Sequence, residues 1–208
     1  VLPGKNIRTI VMIPAHNEAS GIAGTLERLR SVLPSAADIL VVADNCSDET
    51  AETARASGFE VVERSDPARR GKGFALDYGR AHLANSPPDC VMILDADCIP
   101  DAGTIERLAA AALRHGRPVQ AVNLMRAGPD AGPIVQISNF AFMIKNLVRQ
   151  RGLVRAGGPA MLTGTGMAFP WPIFERLSLA SSNIVEDLAV TVELTRKGVR
   201  PLLVESGR

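Results

Sequence analysis

Charge of one sign is what this sequence most conspicuously lacks: 23 lysines and arginines face 22 aspartates and glutamates, for a formal net charge of +1. That balance gives no global field with which to hold nucleic acid or an anionic membrane, although a few local groups can still bind a phosphate-bearing small ligand. Cysteine is sparse and odd in number, at Cys46, Cys90 and Cys98, without paired metal-ligand spacing. This excludes a disulfide framework and fits reduced thiols in the cytosol. No apolar run reaches the ~18 residues of a membrane span, and no secretory leader opens the chain. Val1 rather than Met comes first, so the expectation is a trimmed piece whose remainder can hold membrane segments. The histidines His16, His82 and His115 lack metalloprotease spacing, and no serine or cysteine nucleophile arrangement stands out. Internal repeats, low-complexity tracts and linkers are also absent, which leaves one domain over residues 1–208.

What is present is a globular composition, 46% hydrophobic and 22% charged over 208 residues, enough to bury a sizeable core. Thr9 to Ile13 is a short apolar run ended by Pro14, as a buried strand would be. Ile22, Leu26, Leu29 and Leu33 then recur at helical spacing, and Ile39 to Ala43 is a second strand. Asp48 can cap a helix through Ala56, Glu60 to Glu63 reads as a third strand, and a helix runs from about Lys72 to Leu83. Val91 to Leu94 is the fourth strand, and Asp101 can cap a helix ending near His115. Such alternation predicts an α/β fold with a mainly parallel central sheet, Rossmann-like, flanked by helices.

The second half is less regular. Val119 to Val122 reads as a strand and Ile134 to Arg151 as a helix. On that helix Ile137, Phe140, Ala141, Ile144, Leu147 and Val148 crowd one side. This face is expected to pack on the sheet rather than lie on a membrane, because its cations, Lys145 and Arg149, are few. Leu188, Val192 and Leu194 mark a last helix ending near Gly198.

In open parallel sheets ligands bind beyond the carboxyl ends of the strands. There the sequence places Pro14-Ala15-His16-Asn17-Glu18, then Asp44-Asn45-Cys46-Ser47-Asp48, then Asp95-Ala96-Asp97. Solvated turns explain any one of these, less easily all of them. Two residues apart on extended chain, Asp95 and Asp97 lean the same way. Their mutual repulsion is relieved by a proton or a cation, and a hard ion such as Mg²⁺ or Mn²⁺ suits carboxylate oxygens. Two phosphate-binding motifs are incomplete: before Gly71-Lys72-Gly73 a P-loop needs glycine where Asp66 stands, and after Gly164-Thr165-Gly166 a dinucleotide fingerprint needs glycine where Phe169 stands. Those glycines serve close backbone approach, in packing or against a ligand. Glu186-Asp187 puts negative charge at a helix N-terminus.

Together these segments resemble the family 2 glycosyltransferases, inverting enzymes with a GT-A fold. The resemblance rests on residues 11–18, 41–50, 71–76, 94–97 and 164–169 and on Glu186-Asp187, in the family's order. It implies a donor half, residues 1–118, and an acceptor half, residues 119–208. Pro14, Ala15, His16, Asn17 and Glu18 would line the nucleoside site, with Glu18 at the ribose and Asp44 at the base. Lys72, Asp95 and Ala96 would lie along the nucleotide, Asp97 with Asp95 would bind the metal, and Gly164, Thr165 and Gly166 would shape the acceptor side. Asp187, with Glu186 beside it, corresponds to the general base. The Gln-x-x-Arg-Trp segment of many processive members has no counterpart, since the only tryptophan is Trp171. Synthesis of a long polymer is therefore not expected.

The expected activity is transfer of a sugar from a nucleoside-diphosphate sugar, a UDP-sugar first, to an acceptor hydroxyl with Mn²⁺ or Mg²⁺. The acceptor would be a glycan, a lipid or a small molecule; nucleic acid is not a partner, and membrane association would come from parts outside this chain. The expected compartment is the cytoplasm, including the cytoplasmic face of the inner membrane. A sugar-1-phosphate nucleotidyltransferase is a competing reading, but it wants a glycine-rich basic loop where Pro14 to Glu18 stand. A donor-binding module without catalysis is another, disfavoured because a residue in the base position is present.

Overall fold

Short aliphatic runs become strands and segments of three-to-four-residue apolar spacing become helices in the computed structural model, which describes residues 7–125, 127–128, 130–180 and 186–205. The first half runs β1 (Thr9–Ala15), α1 (Ile22–Val32), β2 (Ala37–Asp44), α2 (Thr50–Ala56), β3 (Glu60–Arg64), α3 (Lys72–Leu83), β4 (Cys90–Ile93) and α4 (Thr104–His115). Then come β5 (Val119–Ala121), α5 (Pro133–Met143), a π-helical turn (Ile144–Val148), α6 (Arg149–Arg155), β6 (Met167–Pro170), the one-turn α7 (Trp171–Phe174), α8 (Glu186–Arg196) and β7 (Leu202–Val204).

The strands form one seven-stranded sheet in the order β3-β2-β1-β4-β6-β5-β7. Strands β1 to β4 pair in parallel, as do β5 and β7, while β6 runs antiparallel to both its neighbours. The mainly parallel sheet predicted from the alternation is thus observed. Buried strands with both faces covered read as unbroken apolar runs, and the alternation of side chains divides each run between two layers. Val11, Ile13, Ile39, Val41 and Met92 meet α1 and α4 through Ile22, Leu26, Leu29, Ile105 and Leu108. Ile10, Met12, Leu40, Val42, Val91 and Ile93 meet α3, α7 and α8 through Leu76, Leu83, Phe174, Val190 and Leu194. Helix α3 comes close because Gly79 has no side chain: a Cβ there would stand 2.8 Å from Met12 Sδ and 2.9 Å from Val42 Cγ2.

Several local expectations are corrected. Helix α4 starts at Thr104, with left-handed Gly103 rather than Asp101 in the capping position, and the Thr104 N–H donates to the Asp101 carbonyl at 3.1 Å. Asp48, by contrast, sits just ahead of α2 as expected, and its Oδ1 accepts the N–H of Thr50, the first helical residue, at 3.1 Å. Along α8 the buried residues are Val190, Thr191 and Leu194, whereas Leu188 and Val192 point outward. The largest correction concerns the helix from Ile134 to Arg151. It is interrupted by the π-helical turn, and its apolar stripe does not face the sheet: Ile137 is 68% exposed and Phe140 61%. The inward positions are held by amides instead, Asn146 and Gln150 being buried.

Candidate active site

Because β2, β1 and β4 are neighbours and parallel, the loops after Asp44, Ala15 and Ile93 emerge side by side at the carboxyl edge of the sheet. Strand β6 runs the opposite way with Met167 opposite Ile93, so Gly164 to Gly166, just before it, arrive at the same edge. The sequence-predicted residues from four separate segments thereby converge.

Loops after β1 and β2 are laced to one another. Asn17 and Asn45 both adopt left-handed backbone, φ 56° and 52°, which asparagine tolerates better than most residues. The Asn17 side-chain oxygen accepts the Ser47 N–H at 2.8 Å, and that of Asn45 accepts the Asp66 N–H at 2.7 Å. The Thr50 hydroxyl accepts from Glu18 N–H at 2.8 Å, Asp48 Oδ2 accepts from Ala19 N–H at 3.1 Å, and His16 Nδ1 donates to the Asp44 carbonyl at 2.7 Å. Pro14 and Ala15 are the last residues of β1, Ala15 buried, while His16 and Asn17 are exposed and Glu18 half-buried. Much of the polar character at these strand ends therefore builds the loops themselves.

Asp44 is 6% exposed, and Arg64 at the end of β3 donates to its Oδ1 at 2.6 Å. Arg64 also donates to the Arg69 carbonyl at 2.8 Å and lies over the Phe74 ring, 5.4 Å from its centroid. Sequence reasoning missed Arg64, although a cation directly after Glu60-Val61-Val62-Glu63, one strand over from Asp44, was the available signal. Removing one partner of a buried ion pair leaves the other charge uncompensated. Arg64→Ala is therefore expected to cost roughly 3 kcal/mol in urea denaturation; a change no larger than that of an exposed pair would show that water screens Asp44.

Asp95 and Asp97 flank the buried Ala96, and their carboxylates lie with the Cys98 thiol so that one ligand atom from each falls within 4.8 Å of the others. Asp97 is exposed and Asp95 half-buried. Burial, above all, pushes the Cys98 thiol up to about 11, so the charged donors that the metal-free cluster presents are the carboxylate oxygens of Asp95 and Asp97. Such a set fits a hard divalent cation. Cys98 is the member that its spacing to the other cysteines could not reveal.

Lys72, the first residue of α3, forms an ion pair with Asp95 and donates to the Gly164 carbonyl at 2.8 Å. The Asp95 N–H donates to the Thr165 hydroxyl at 3.0 Å, which stitches the Gly164–Gly166 loop to the end of β4. Gly164 has φ +84°, and the position a Cβ would take is 3.5 Å from Lys72 Nζ and 3.6 Å from Asp187 Oδ2. Asp187, from the first turn of α8, thus enters the cleft that holds Lys72 and Asp95. Its Oδ1 accepts the Leu188 N–H at 2.7 Å, and it borders a small apolar cavity lined by Leu76, Ile93, Phe169 and Val190. Thr191 fixes the helix, donating to the Asp187 carbonyl at 2.9 Å and accepting from Leu162 N–H at 3.0 Å. Glu186 opens α8; its side chain lies outside the described residues.

The two glycines of the Gly164–Gly166 loop differ. A Cβ on Gly166, φ +65°, would stand 3.1 Å from Ala121 Cβ, so its smallness serves packing, whereas Gly164 opens onto the cleft. Behind them Gln120, 1% exposed, donates to the Thr165 carbonyl at 2.9 Å and accepts the Thr163 N–H at 2.9 Å. Gln120 also escaped the sequence reading; a glutamine inside a three-residue buried strand was its signal.

The sequence model described as glycosyltransferase like family 2 matches residues 6–206. Glucosyl-3-phosphoglycerate synthase of Mycobacterium tuberculosis H37Rv is 37% identical over 99 residues, an alignment spanning 44% of this chain and 30% of that protein. The M. tuberculosis synthase crystallised with UDP superposes with a TM-score of 0.66 at 20% identity, covering 97% of this chain and 72% of that one. The same synthase has been solved with Mn²⁺, UDP-glucose and phosphoglyceric acid, TM-score 0.63 at 20% identity, over 97% of this chain and 72% of that one. A mannosyltransferase of Pyrobaculum calidifontis, solved with GDP-mannose and Mn²⁺, gives 0.68 at 20% identity over 98% of this chain and 56% of that one. At such identities the superpositions show a shared fold, the GT-A arrangement. On the match from residue 6 to residue 206, the chain belongs to the glycosyltransferase-like family 2.

Proposed function

We propose that this chain is the donor-binding and catalytic domain of a metal-dependent, inverting glycosyltransferase that uses a nucleoside-diphosphate sugar, a UDP-sugar first. One observation carries the reading: Asp95 from the end of β4, Lys72 from the start of α3 and Asp187 from the start of α8 meet at Gly164. A cleft that gathers acidic groups from separate elements around one cation-binding pair suits a substrate that is itself anionic. The donors bound by the relatives, UDP-glucose and GDP-mannose with Mn²⁺, support the same class.

Residues 1–118 form the donor half in this reading and residues 119–208 the acceptor half. Asp97 and Asp95 hold Mn²⁺ or Mg²⁺; when bound, the cation offsets the charge of the diphosphate and of the departing nucleotide. Pro14 to Asn17 frame the nucleoside, Glu18 meets the ribose, and Asp44, held by Arg64, meets the base. Lys72 is placed to exchange its contact with Asp95 for a phosphate oxygen. Ala96, its side chain buried in the core, meets the nucleotide through its backbone, and Gly164, opening the Gly164–Thr165–Gly166 loop onto the cleft, leaves space for the acceptor. Asp187, with Glu186 beside it, takes the proton of the attacking hydroxyl, a task that requires a carboxylate within hydrogen-bond reach of it. Attack opposite the leaving nucleotide inverts the anomeric centre.

The test uses water as the acceptor. With UDP-α-glucose and Mn²⁺ the protein should release UDP, lose that activity with a chelator, and give β-glucose as the first-formed anomer by proton NMR. First-formed α-glucose would remove inversion, and no cleavage of UDP-, GDP- or dTDP-sugars with either metal would remove the reading.

A further inference from the structure

Helix segments α5 and α6 and the turn between them are arranged against the usual pattern, with amides inward and hydrocarbon outward. Ile134, Ile137, Phe140, Ile144 and Val148 are between 41% and 80% exposed, while Asn146 and Gln150 are 4% and 1% exposed. Gln150 faces the domain, bonding Met161 in both directions at 2.7 and 2.8 Å. The outward residues from Ile137 to Val148 recur every three or four positions, forming one continuous stripe. Contiguous exposed apolar surface of this kind marks an interaction site.

Charge identifies what the stripe meets. From Ala131 to Phe174 the sequence contains no aspartate or glutamate, although the whole chain is nearly neutral. Within α5 to α6 the exposed charged residues are Lys145, Arg149 and Arg155, all cationic. Lys145 directly follows Ile144 and Arg149 directly follows Val148, so a basic row runs beside the apolar one. Among the described residues no helix is long and apolar enough to cross a membrane. An apolar face bordered by cations, on a helix that does not span, is the pattern of a segment lying in the headgroup region of an anionic bilayer. A second copy of this chain would bring the same cations to the contact and, from Ala131 to Phe174, no carboxylate to pair with them, whereas an anionic surface supplies the missing charge.

We propose that the face formed by Ile137, Phe140, Ile144 and Val148, with Lys145 and Arg149 at its side, docks this domain on an anionic phospholipid surface. This does not rest on the sugar-transfer reading. The expected membrane contact outside this chain is thereby joined by one within it, and the expectation that the stripe faces the sheet is replaced.

The experiment is flotation of the full chain with vesicles of phosphatidylglycerol and phosphatidylcholine in equal parts, against vesicles of phosphatidylcholine alone, at low and high salt. Binding should require phosphatidylglycerol and weaken with salt. Phe140→Ser should reduce it about tenfold, and Lys145→Gln and Arg149→Gln about fivefold each. All three side chains are exposed, so folding should persist, checked by circular dichroism. Equal recovery with both vesicle types, or unchanged binding by folded Phe140→Ser, overturns the proposal. So does self-association in analytical ultracentrifugation that Phe140→Ser abolishes while vesicles are ignored, since a second copy then covers the face.

Discussion

Asparagine in place of Asp187 should lower turnover by about 10²–10⁴-fold, the usual contribution of a positioned general base, and leave nucleotide affinity unchanged. The substitution is close to isosteric. Its side-chain oxygen can still accept the Leu188 N–H that Asp187 accepts at 2.7 Å, so the start of α8 is kept. Thr191 and the buried Val190 and Leu194 also hold the helix in place independently of the carboxylate. What is lost is the capacity to take a proton. Steady-state turnover with UDP-sugar, set beside calorimetric binding of UDP, separates the two effects. Turnover equal to that of the parent would take Asp187 out of the base role and direct attention to Glu186.

Alanine at position 97 should abolish the metal-dependent part of nucleotide binding, a loss of about 100-fold or more, because even residues that only support a metal ligand are commonly worth 10–100-fold. Asp97 is the clean position for this test. It is exposed, and the contact seen for its carboxylate is the Cys98 thiol at 3.4 Å, so little folding stability rides on it. Asp95 is a poorer choice, because its loss would also release Lys72 from its ion pair and alter the Gly164 loop. The Mn²⁺-induced thermal shift in the presence of UDP reads the effect. An undiminished shift in Asp97→Ala would remove that aspartate from the metal site.

The first half of the fold was legible because β1, β2 and β4 are buried on both faces and therefore appear as uninterrupted apolar runs. Its loops were legible because carboxylates and amides begin just where those runs stop. The chemistry of the individual side chains was less so. Asn17 and Asn45 spend their oxygens on neighbouring loops, and nothing in their spacing separates a loop-building amide from a ligand-facing one. Arg64 and Gln120 act through contacts distant in sequence, to Asp44 and to Thr163 and Thr165.

Strands β6 and β7 were not read: β6 runs straight on from the Gly164–Gly166 loop and reverses direction, outside the strand–helix alternation that marked the first half. The stripe on α5 was read correctly as a stripe but assigned the wrong side. Periodicity reports that apolar residues share a face; it does not report whether protein or another medium covers that face. The amides Asn146 and Gln150 on the opposite side were the available clue, since Gln150 bonds Met161 close to the Gly164 loop.

Calorimetric titration of UDP into the unmodified chain, once with Mn²⁺ and once with a chelator, goes straight to the electrostatic claim on which the site depends. Two adjacent carboxylates should repel a diphosphate unless a cation joins them. Binding should therefore be strong with Mn²⁺ and collapse without it. Equal affinity in both titrations would mean that Asp95 and Asp97 do not hold the nucleotide through a metal, and the account of this cleft would fail.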